Sequence, residues 1–303
     1  MISVISTPHR ILLITGLALL LFIGIYRTSG STSTGVAEPG FVIPDELPVM
    51  TIVHGPLSVM RDNETRTLER GDTLLPGDEM ETCAGQFAVI DFQSTGYMIV
   101  HPVSNVKLDA GENIVRLRNA DIHLEQRVNS SGVMPKIACY DAEVSATYHA
   151  TDTISFGMQC RGESGITISI HRGSLLLQSN SRRYDLAQGM AVSGRATSDT
   201  YTEVSQPGRP VFTDFIENES LRMDEEPSSR SFRWRPVSMT DQFLIHIYSP
   251  FAERPVHQIR YVNNNEFAVD SLLPGSYHIR VLAVDYYGVT GNWSEPLPFD
   301  YLP

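Results

Sequence analysis

The sequence predicts a mainly β protein with an N-terminal membrane helix, a β-roll or β-solenoid-type domain, and a small β-sandwich. Three observations lead to this architecture. An uncharged apolar run stands close to the N-terminus, and short apolar runs then recur about every 8–12 residues with turn residues between them. The C-terminal part is again strand-like but richer in aromatic residues. With 303 residues, the chain is long enough for two modest domains.

The apolar run is Ile11–Tyr26, and Arg10 and Arg27 flank it. At ~1.5 Å per residue the helix would be about 24 Å long, slightly short of a ~30 Å hydrocarbon core. The two arginines can reach the interfaces and make up the difference. We expect a transmembrane signal anchor, with residues 1–10 as a short cytoplasmic tail and the bulk of the chain in the periplasm. A cleaved secretory signal is the alternative, although the best small-residue triplet, Gly35–Ala37, lies far beyond the run.

The rest of the chain divides by composition. Residues 27–46 are rich in Ser, Thr, Gly and Pro and predict a flexible linker. Residues 47–200 form the first predicted β domain, and residues 231–303 form the second. The segment between them, 201–230, contains prolines and an acidic stretch, and we expect a linker with one helical turn near Phe212.

Charge and motif content limit the function classes. The net charge is −12 and no basic block follows Arg27, which argues against nucleic acid as a partner. No metalloprotease, nucleophile-elbow, P-loop or dinucleotide-binding motif occurs, and the histidines are not spaced for a metal site. We therefore expect a non-enzymatic protein with no catalytic residues, no cofactor and no metal ligands.

Three cysteines, Cys83, Cys139 and Cys160, occur in the chain. An exported protein meets an oxidising compartment, where disulfides form. Cys139 and Cys160 lie at or next to strand-like segments that are close enough in sequence to be neighbours, so the pair is a candidate disulfide. The alternative is that all three are small buried thiols.

Predicted strands of the first β domain follow from short apolar runs bounded by turn residues. In Ile166–Ile170 the isoleucines alternate with polar residues and so fall on one strand face. The predicted strands are Val49–Val53, Phe87–Phe92, Tyr97–Val100, Ile114–Leu117, Ile166–Ile170 and Ser174–Leu177.

The strongest local motif consists of two Gly-Asp pairs, Gly71-Asp72 and Gly77-Asp78. Glycine supplies a turn conformation denied to other residues, and aspartate can accept a hydrogen bond from the nearby backbone to hold the turn. These four residues are therefore predicted to be structural turn residues and not a catalytic carboxylate pair.

This stretch resembles the FecR-type extracytoplasmic domain, and the resemblance covers roughly residues 50–195. The closing half of the family pattern is similar to Ile166–Val192. The resemblance implies a β-rich domain outside the cytoplasm and a link to envelope signalling. Classical members hold a sigma factor with a long cytoplasmic region; because residues 1–10 are too few to fold or to bury an interface, we expect no direct sigma-factor regulation. The matching positions of the Gly-Asp block are Leu68, Gly71, Asp72, Leu74, Gly77, Asp78, Thr82 and Gly96.

The C-terminal segment resembles a fibronectin type III or related Ig-like module. Trp234 is placed to fill a sandwich core, and Tyr277 resembles the tyrosine whose hydroxyl pins an inter-sheet corner. The segment is shorter than the ~100 residues usual for such modules, so either a strand is missing or the preceding linker supplies one. Tyr286 and Tyr287 precede a glycine and are expected to be exposed on a hairpin. They could join Trp234 and Trp293 in a sugar-binding platform, although core tryptophans are the simpler expectation.

Together these features predict a non-enzymatic, membrane-anchored envelope protein whose β domains bind or scaffold a protein or cell-wall partner. Two alternatives remain open. The first is envelope signalling of the FecR type without its own cytoplasmic anti-sigma region. The second is a peptidoglycan- or glycan-binding module.

Overall fold

The computed structural model describes residues 50–54, 57–92, 96–109, 113–126, 135–146, 153–198, 200–213, 220–222, 231–249, 256–269 and 272–302. All of them lie in one compact unit, Pro44–Pro303. The predicted cytoplasmic tail, membrane helix Ile11–Tyr26 and linker 27–46 lie outside the described residues. No helix among the described residues has the length and apolar character needed to cross a membrane.

The described part of the chain is mainly β, as predicted, and contains 24 strands and one 3₁₀ turn but no α-helix. The 3₁₀ turn is Gly162–Ser164. The strands in chain order are β1 (Met50–His54), β2 (Leu57–Arg61), β3 (Glu64–Leu68), β4 (Thr73–Leu74), β5 (Glu79–Thr82), β6 (Ala88–Asp91), β7 (Gly96–Val100), β8 (Ser104–Leu108), β9 (Ile114–Gln126), β10 (Lys136–Cys139), β11 (Ala142–Ala146), β12 (Ile154–Arg161), β13 (Ile166–Arg172), β14 (Ser174–Ser179), β15 (Arg182–Ala187), β16 (Ala191–Gly194), β17 (Tyr201–Val204), β18 (Ser220–Arg222), β19 (Ser231–Arg233), β20 (Gln242–Tyr248), β21 (Val256–Val262), β22 (Glu266–Ala268), β23 (Gly275–Val284) and β24 (Leu297–Leu302).

Strands β1–β17, here called the N-terminal module, form one 17-stranded sheet within the described residues. Neighbouring strands pair antiparallel, except that β9 and β10 run parallel. The long strand β9 organises the sheet, since it pairs with β8 and β10 through its first half and with β7 and β12 through its second. Side chains from β2 through β17 meet in one apolar core, so the sheet folds back on itself around that core.

Period-2 alternation determines which side chains enter this core. Ile166, Ile168 and Ile170 of β13 are all buried in it, as the sequence predicts. The intervening Thr167 and Ser169 point to the opposite face, yet they are also buried. Both faces of β13 are therefore covered, and a second layer must lie on the polar side.

Strands β18–β24 form the C-terminal module, which supplies that layer. Within the described residues it contains a five-stranded sheet in the order β18-β24-β23-β20-β21 and a two-stranded sheet, β19-β22. The two sheets share an apolar core built on aromatic side chains. Trp234 is fully enclosed there, edge to face with Phe243 at a centroid distance of 5.2 Å, and Phe232 packs on Phe299 at 5.0 Å. The predicted core position of Trp234 is confirmed.

The segment 201–230, expected to be a linker, contributes a strand to each module. β17 pairs antiparallel with β16, and β18 pairs parallel with β24. The short C-terminal sequence is therefore completed by a strand that precedes it, one of the two possibilities left open by its length. Phe212 forms an isolated bridge with Trp234, and the rest of the predicted helical turn lies outside the described residues.

Candidate functional site

The two modules pack against each other through the sheet faces opposite to their cores. In β20 and β23, the core residues Ile245 and Val281 alternate with residues on the other face, such as Leu244 and Leu282. A separate apolar cluster joins the modules on that face, which we call the module boundary. Its buried members are Phe87, Val89 and Ile99 of the N-terminal module and Leu244, Leu282 and Val284 of the C-terminal module.

Beside this apolar patch the module boundary encloses four histidines. His123 lies in β9 and His171 in β13, His101 follows β7 directly, and His246 lies in β20. Their exposed fractions are 1% for His101, 2% for His123, 7% for His171 and 0% for His246. The ring centroid of His123 lies 5.4 Å from that of His171 and 6.0 Å from that of His246. The ring centroids of His246 and His101 are 6.3 Å apart.

A hydrogen-bonded chain crosses the boundary at one end of the cluster. The Tyr261 hydroxyl donates to Asp121 Oδ2 at 2.9 Å and lies 3.0 Å from His101 Nδ1. Because that hydroxyl has a single proton, His101 must donate from Nδ1 to the tyrosine oxygen. The chain thus fixes the orientation of the His101 ring and links β21 to β9.

The other three histidines have weaker hydrogen bonding. His123 Nε2 lies 3.4 Å from Ser155 Oγ, and His171 Nε2 lies 3.2 Å from Thr290 Oγ1. His171 Nδ1 and both ring nitrogens of His246 have no hydrogen-bond partner among the described residues. Buried polar atoms without partners cost free energy, so a cluster with this many is costly to keep and marks the region as a candidate functional site.

A buried cation adjoins the histidines. The Arg280 guanidinium carbon lies 4.2 Å from the centroid of the Trp293 ring, and its Nη2 donates to Glu125 Oε2 at 3.4 Å. The same carboxylate oxygen accepts a hydrogen bond of 2.8 Å from the Tyr97 hydroxyl. Trp293 also packs on His246, with ring centroids 4.3 Å apart. The Glu125 carboxylate therefore balances the positive charge of Arg280 and would not also balance a positive charge on the histidines.

This environment keeps the histidines neutral. Burial, together with the nearby Arg280, lowers the pKa of His171 to about 3, although a hydrogen bond with the Gly291 backbone opposes the shift. Burial also holds the pKa of His123 and that of His246 well below the ordinary value, with Arg280 and the neighbouring imidazoles adding to the effect. The pKa of His101 is lowered by burial too, although Asp121 opposes the shift.

A tight turn after β23 completes the boundary. Asp285 Oδ1 accepts hydrogen bonds from the backbone of Tyr287 and Val289, and Thr290 N donates to Ser169 Oγ at 3.0 Å. Gly288 sits in this turn with φ +81°. A Cβ at that position would lie 2.0 Å from Oε1 of Gln159 on β12, so only glycine lets the turn approach the N-terminal module this closely.

The two Gly-Asp pairs occupy turns, but their aspartates differ. Asp72 is exposed and accepts a hydrogen bond of 2.7 Å from the Glu69 amide. Asp78 is fully buried and accepts from the Leu75 amide at 2.8 Å, while Arg61 donates to both of its carboxylate oxygens at 2.7 Å. Both associated glycines, at positions 71 and 77, have positive φ, of 98° and 95°.

Cys139 and Cys160 form a disulfide in the N-terminal module, with Cα atoms 5.9 Å apart. Cys139 lies in β10 and Cys160 in β12, the strands that pair with the two halves of β9. Cys83 is a free, exposed cysteine.

The four aromatic residues considered for a sugar platform occupy three different environments. Trp234 is in the C-terminal core, and Trp293 is at the module boundary beneath Arg280. Tyr286 and Tyr287 are 80% and 73% exposed, and their rings stand at 86° to each other. The Tyr277 hydroxyl donates to the Leu273 carbonyl at 2.7 Å, which is the corner bond the sequence predicts.

The histidine cluster was not predicted. A local signal was present in the sequence. Each histidine stands next to or between residues that enter a core, as in Ile122-His123-Leu124 and Ile245-His246-Ile247. Because neighbouring residues of a strand point to opposite faces, each histidine faces away from that core. Sequence could not show that these faces meet. In the part of the chain that the structure describes, no group of three or more His, Cys, Asp or Glu side chains is arranged to hold a metal ion.

Comparison with known proteins gives matches among solved structures only. No protein-family model matches the chain, and no curated protein sequence matches it. Among solved structures it is similar to a candidate anti-sigma factor from Parabacteroides distasonis, with 10% identity over 42% of this chain and 59% of that one and a TM-score of 0.33. It is also similar to the extracellular domain of a candidate one-component system from B. thetaiotaomicron, with 12% identity over 73% of this chain and 35% of that one and a TM-score of 0.20. The chain therefore spans less than two thirds of the length of either neighbour.

Proposed function

We propose that this chain is a non-enzymatic, single-pass protein of the bacterial inner membrane that binds or scaffolds an envelope protein or peptidoglycan. In this proposal residues 47–200 are a FecR-like domain and residues 231–303 a fibronectin type III or Ig-like β-sandwich, both in the periplasm. The Gly-Asp turns and the closing block Ile166–Val192 support the first assignment, and the Tyr277 corner bond supports the second.

The observation that carries the proposal is the enclosed module boundary. General acid–base catalysis requires a titratable side chain within reach of a substrate. His101, His123, His171 and His246 are instead buried between two sheets, where they serve module packing. Two modules that share a buried apolar face are packed as one compact unit, which suits a scaffold or a binding protein.

The Cys139–Cys160 disulfide supports a location outside the cytoplasm, because cytosolic thiols are kept reduced. Ile11–Tyr26 provides the membrane anchor in this proposal. Release into the periplasm or medium after signal cleavage is the alternative.

Cys83 allows a direct test of this location, since it is the free and exposed cysteine. We expect a membrane-impermeant maleimide to modify the protein in spheroplasts without lysis, and the modified protein to sediment with membranes. The Cys83→Ser variant should remain unmodified because the other two cysteines are paired. Labelling that appears only after lysis would place the chain in the cytoplasm and refute the proposal, and labelled protein in the soluble fraction would favour signal cleavage.

Glycan binding is a second candidate because Tyr286 and Tyr287 are exposed. Their rings are nearly perpendicular, so only one of them can stack on a given sugar ring. We expect purified protein to sediment with insoluble peptidoglycan if this candidate is correct, and Tyr286→Ala and Tyr287→Ala to differ in the loss they cause. Absence of the wild-type protein from the pellet rules the candidate out and leaves a protein partner.

FecR-type signalling without an own cytoplasmic anti-sigma region is the remaining alternative. Affinity purification of the intact protein from its native membranes distinguishes this signalling alternative from the proposed binding or scaffolding function. Under our proposal no sigma factor is recovered; a stoichiometric sigma factor would contradict it.

A further inference from the structure

The carboxylates at the module boundary already have partners while the histidines are neutral. Glu125 pairs with Arg280, and Asp121 is engaged by Tyr261 beside His101. The charged neighbours that affect His123, His171 and His246 are Arg280 and the other imidazoles, all of them cationic when protonated. A proton added to any of these three rings would therefore create a buried positive charge next to an existing one.

We propose that the histidine cluster is an acid-sensitive latch between the two modules: neutral imidazoles allow the two sheets to pack face to face, and their protonation separates the sheets. The proposal rests on the geometry of the boundary and applies whichever partner the protein binds. It requires no change inside either apolar core, because the histidines lie on the faces opposite to the cores.

The direction of the pH dependence follows from proton linkage. In separated modules the rings meet water, where a histidine has a pKa of about 6.5. In the packed state the pKa of each ring is lower, so the packed state binds fewer protons. The stability of the packed state relative to the separated state is therefore greatest above pH ~6.5 and decreases as the pH falls below that value. At pH 5 each histidine that stays neutral when packed lowers the ratio of packed to separated protein about 30-fold, and three together lower it about 3 × 10⁴-fold.

The remaining groups at the boundary modify this response without reversing it. Asp121 raises the pKa of His101, which makes that ring the least sensitive member. Burial raises the pKa of the facing tyrosines, so they stay neutral throughout the range. The other titratable and charged groups facing the cluster are Tyr97, Asp121, Glu125, Arg161, Tyr248, Tyr261, His278 and Arg280.

Thiol labelling can distinguish separation of the modules from unfolding. In a Cys83→Ser background, Ser169→Cys places a thiol at the boundary, where position 169 is 2% exposed, and Ala88→Cys places one in the N-terminal core, where position 88 is 1% exposed. Labelling rates of the full chain are measured from pH 7.5 to pH 5 and divided by the rate for unfolded protein at the same pH. We expect the boundary thiol to label at least about 100-fold faster at pH 5 than at pH 7.5, while the core thiol stays protected.

The decisive variants remove the titrating rings. His123→Gln, His171→Gln and His246→Gln together should abolish the acid-induced rise at the boundary thiol. His278→Gln, at the edge of the boundary beside Tyr248, should preserve it. A rise that persists in the triple variant, or core and boundary thiols that become reactive at the same pH, would overturn the proposal. If the triple variant already exposes the core thiol at pH 7.5, the single variants decide: each should reduce the rise, and an unchanged rise in all three would overturn the latch.

Discussion

Arg280 Nη2 lies 3.4 Å from Glu125 Oε2, so a side chain of β23 forms an ion pair with a side chain of β9 across the boundary between the two modules. The Arg280 side chain is 15% exposed and that of Glu125 28%, and Trp293 covers the guanidinium. This contact joins strands that are far apart in sequence, and it places a permanent cation beside the histidine cluster.

Removing the cation should destabilise the protein substantially. Arg280→Met keeps most of the side-chain volume but leaves the Glu125 carboxylate without its ion pair, and we expect a loss of about 2–3 kcal/mol in the free energy of unfolding by urea. The control is Arg233→Met, which breaks an exposed pair with Glu266 and should cost much less. Similar losses from the two variants would show that the Arg280 pair is not effectively buried.

The two aspartates of the Gly-Asp motif should respond differently to the same substitution. Asp78→Asn weakens a fully buried carboxylate that binds Arg61 through both oxygens, and we expect it to cost about 3 kcal/mol. Asp72→Asn changes an exposed turn residue and should cost about 0.5–1 kcal/mol. Thermal and urea unfolding of both variants check this, and equal effects would mean that turn capping alone explains both residues.

The disulfide should contribute to stability by restricting the unfolded chain. Cys139 and Cys160 are separated by 21 residues, and closing a loop of that length predicts a contribution of about 3 kcal/mol. The double variant Cys139→Ala with Cys160→Ala should therefore unfold at lower urea concentration, and a reducing agent should have the same effect on the wild type. Cys83→Ala should leave both curves unchanged; sensitivity of the double variant to the reductant would contradict this account.

The hydrogen bond of the Tyr277 hydroxyl should make a measurable contribution to the free energy of unfolding. Tyr277→Phe removes the hydroxyl that donates to the Leu273 carbonyl and should cost about 1 kcal/mol. Tyr286→Phe removes an exposed hydroxyl and should change the unfolding free energy by less than about 0.5 kcal/mol. A neutral Tyr277→Phe variant would show that the corner bond is replaced by water.

Gly288 should tolerate no side chain while Gln159 is present. Gly288→Ala combines a positive φ with a Cβ that would lie 2.0 Å from Gln159 Oε1, and we expect a loss of more than about 1 kcal/mol. Adding Gln159→Ala should recover the steric part and leave only the backbone strain. Additive losses in the double variant, measured by urea unfolding, would exclude the contact as the cause.

The correct sequence predictions concern short-range pattern. The isoleucines of β13 enter the core because the side-chain period of a strand is two, and the Gly-Asp turns form because their bonding is local. The unequal burial of Asp72 and Asp78 was beyond that reasoning, since it depends on Arg61, a residue 17 positions from Asp78. The 201–230 segment was expected to be a linker, with a strand supplied to the C-terminal module as one of two possibilities; the pairing itself was beyond that reasoning, because the partner of β18 is β24, which is about 80 residues away.

Periodicity and turn chemistry, read along the chain, were sufficient to assign the mainly β class, the core-facing side of β13, and the turns at Gly71 and Gly77. The same alternation explains why His123 and His246 lie on faces opposite to the cores, since alternate residues of a strand point to opposite sides. Whether such a face meets water or another sheet depends on how two separately built layers pack. Only the tertiary structure shows that they pack on each other, and that packing turns scattered histidines into one buried, neutral cluster beside Arg280.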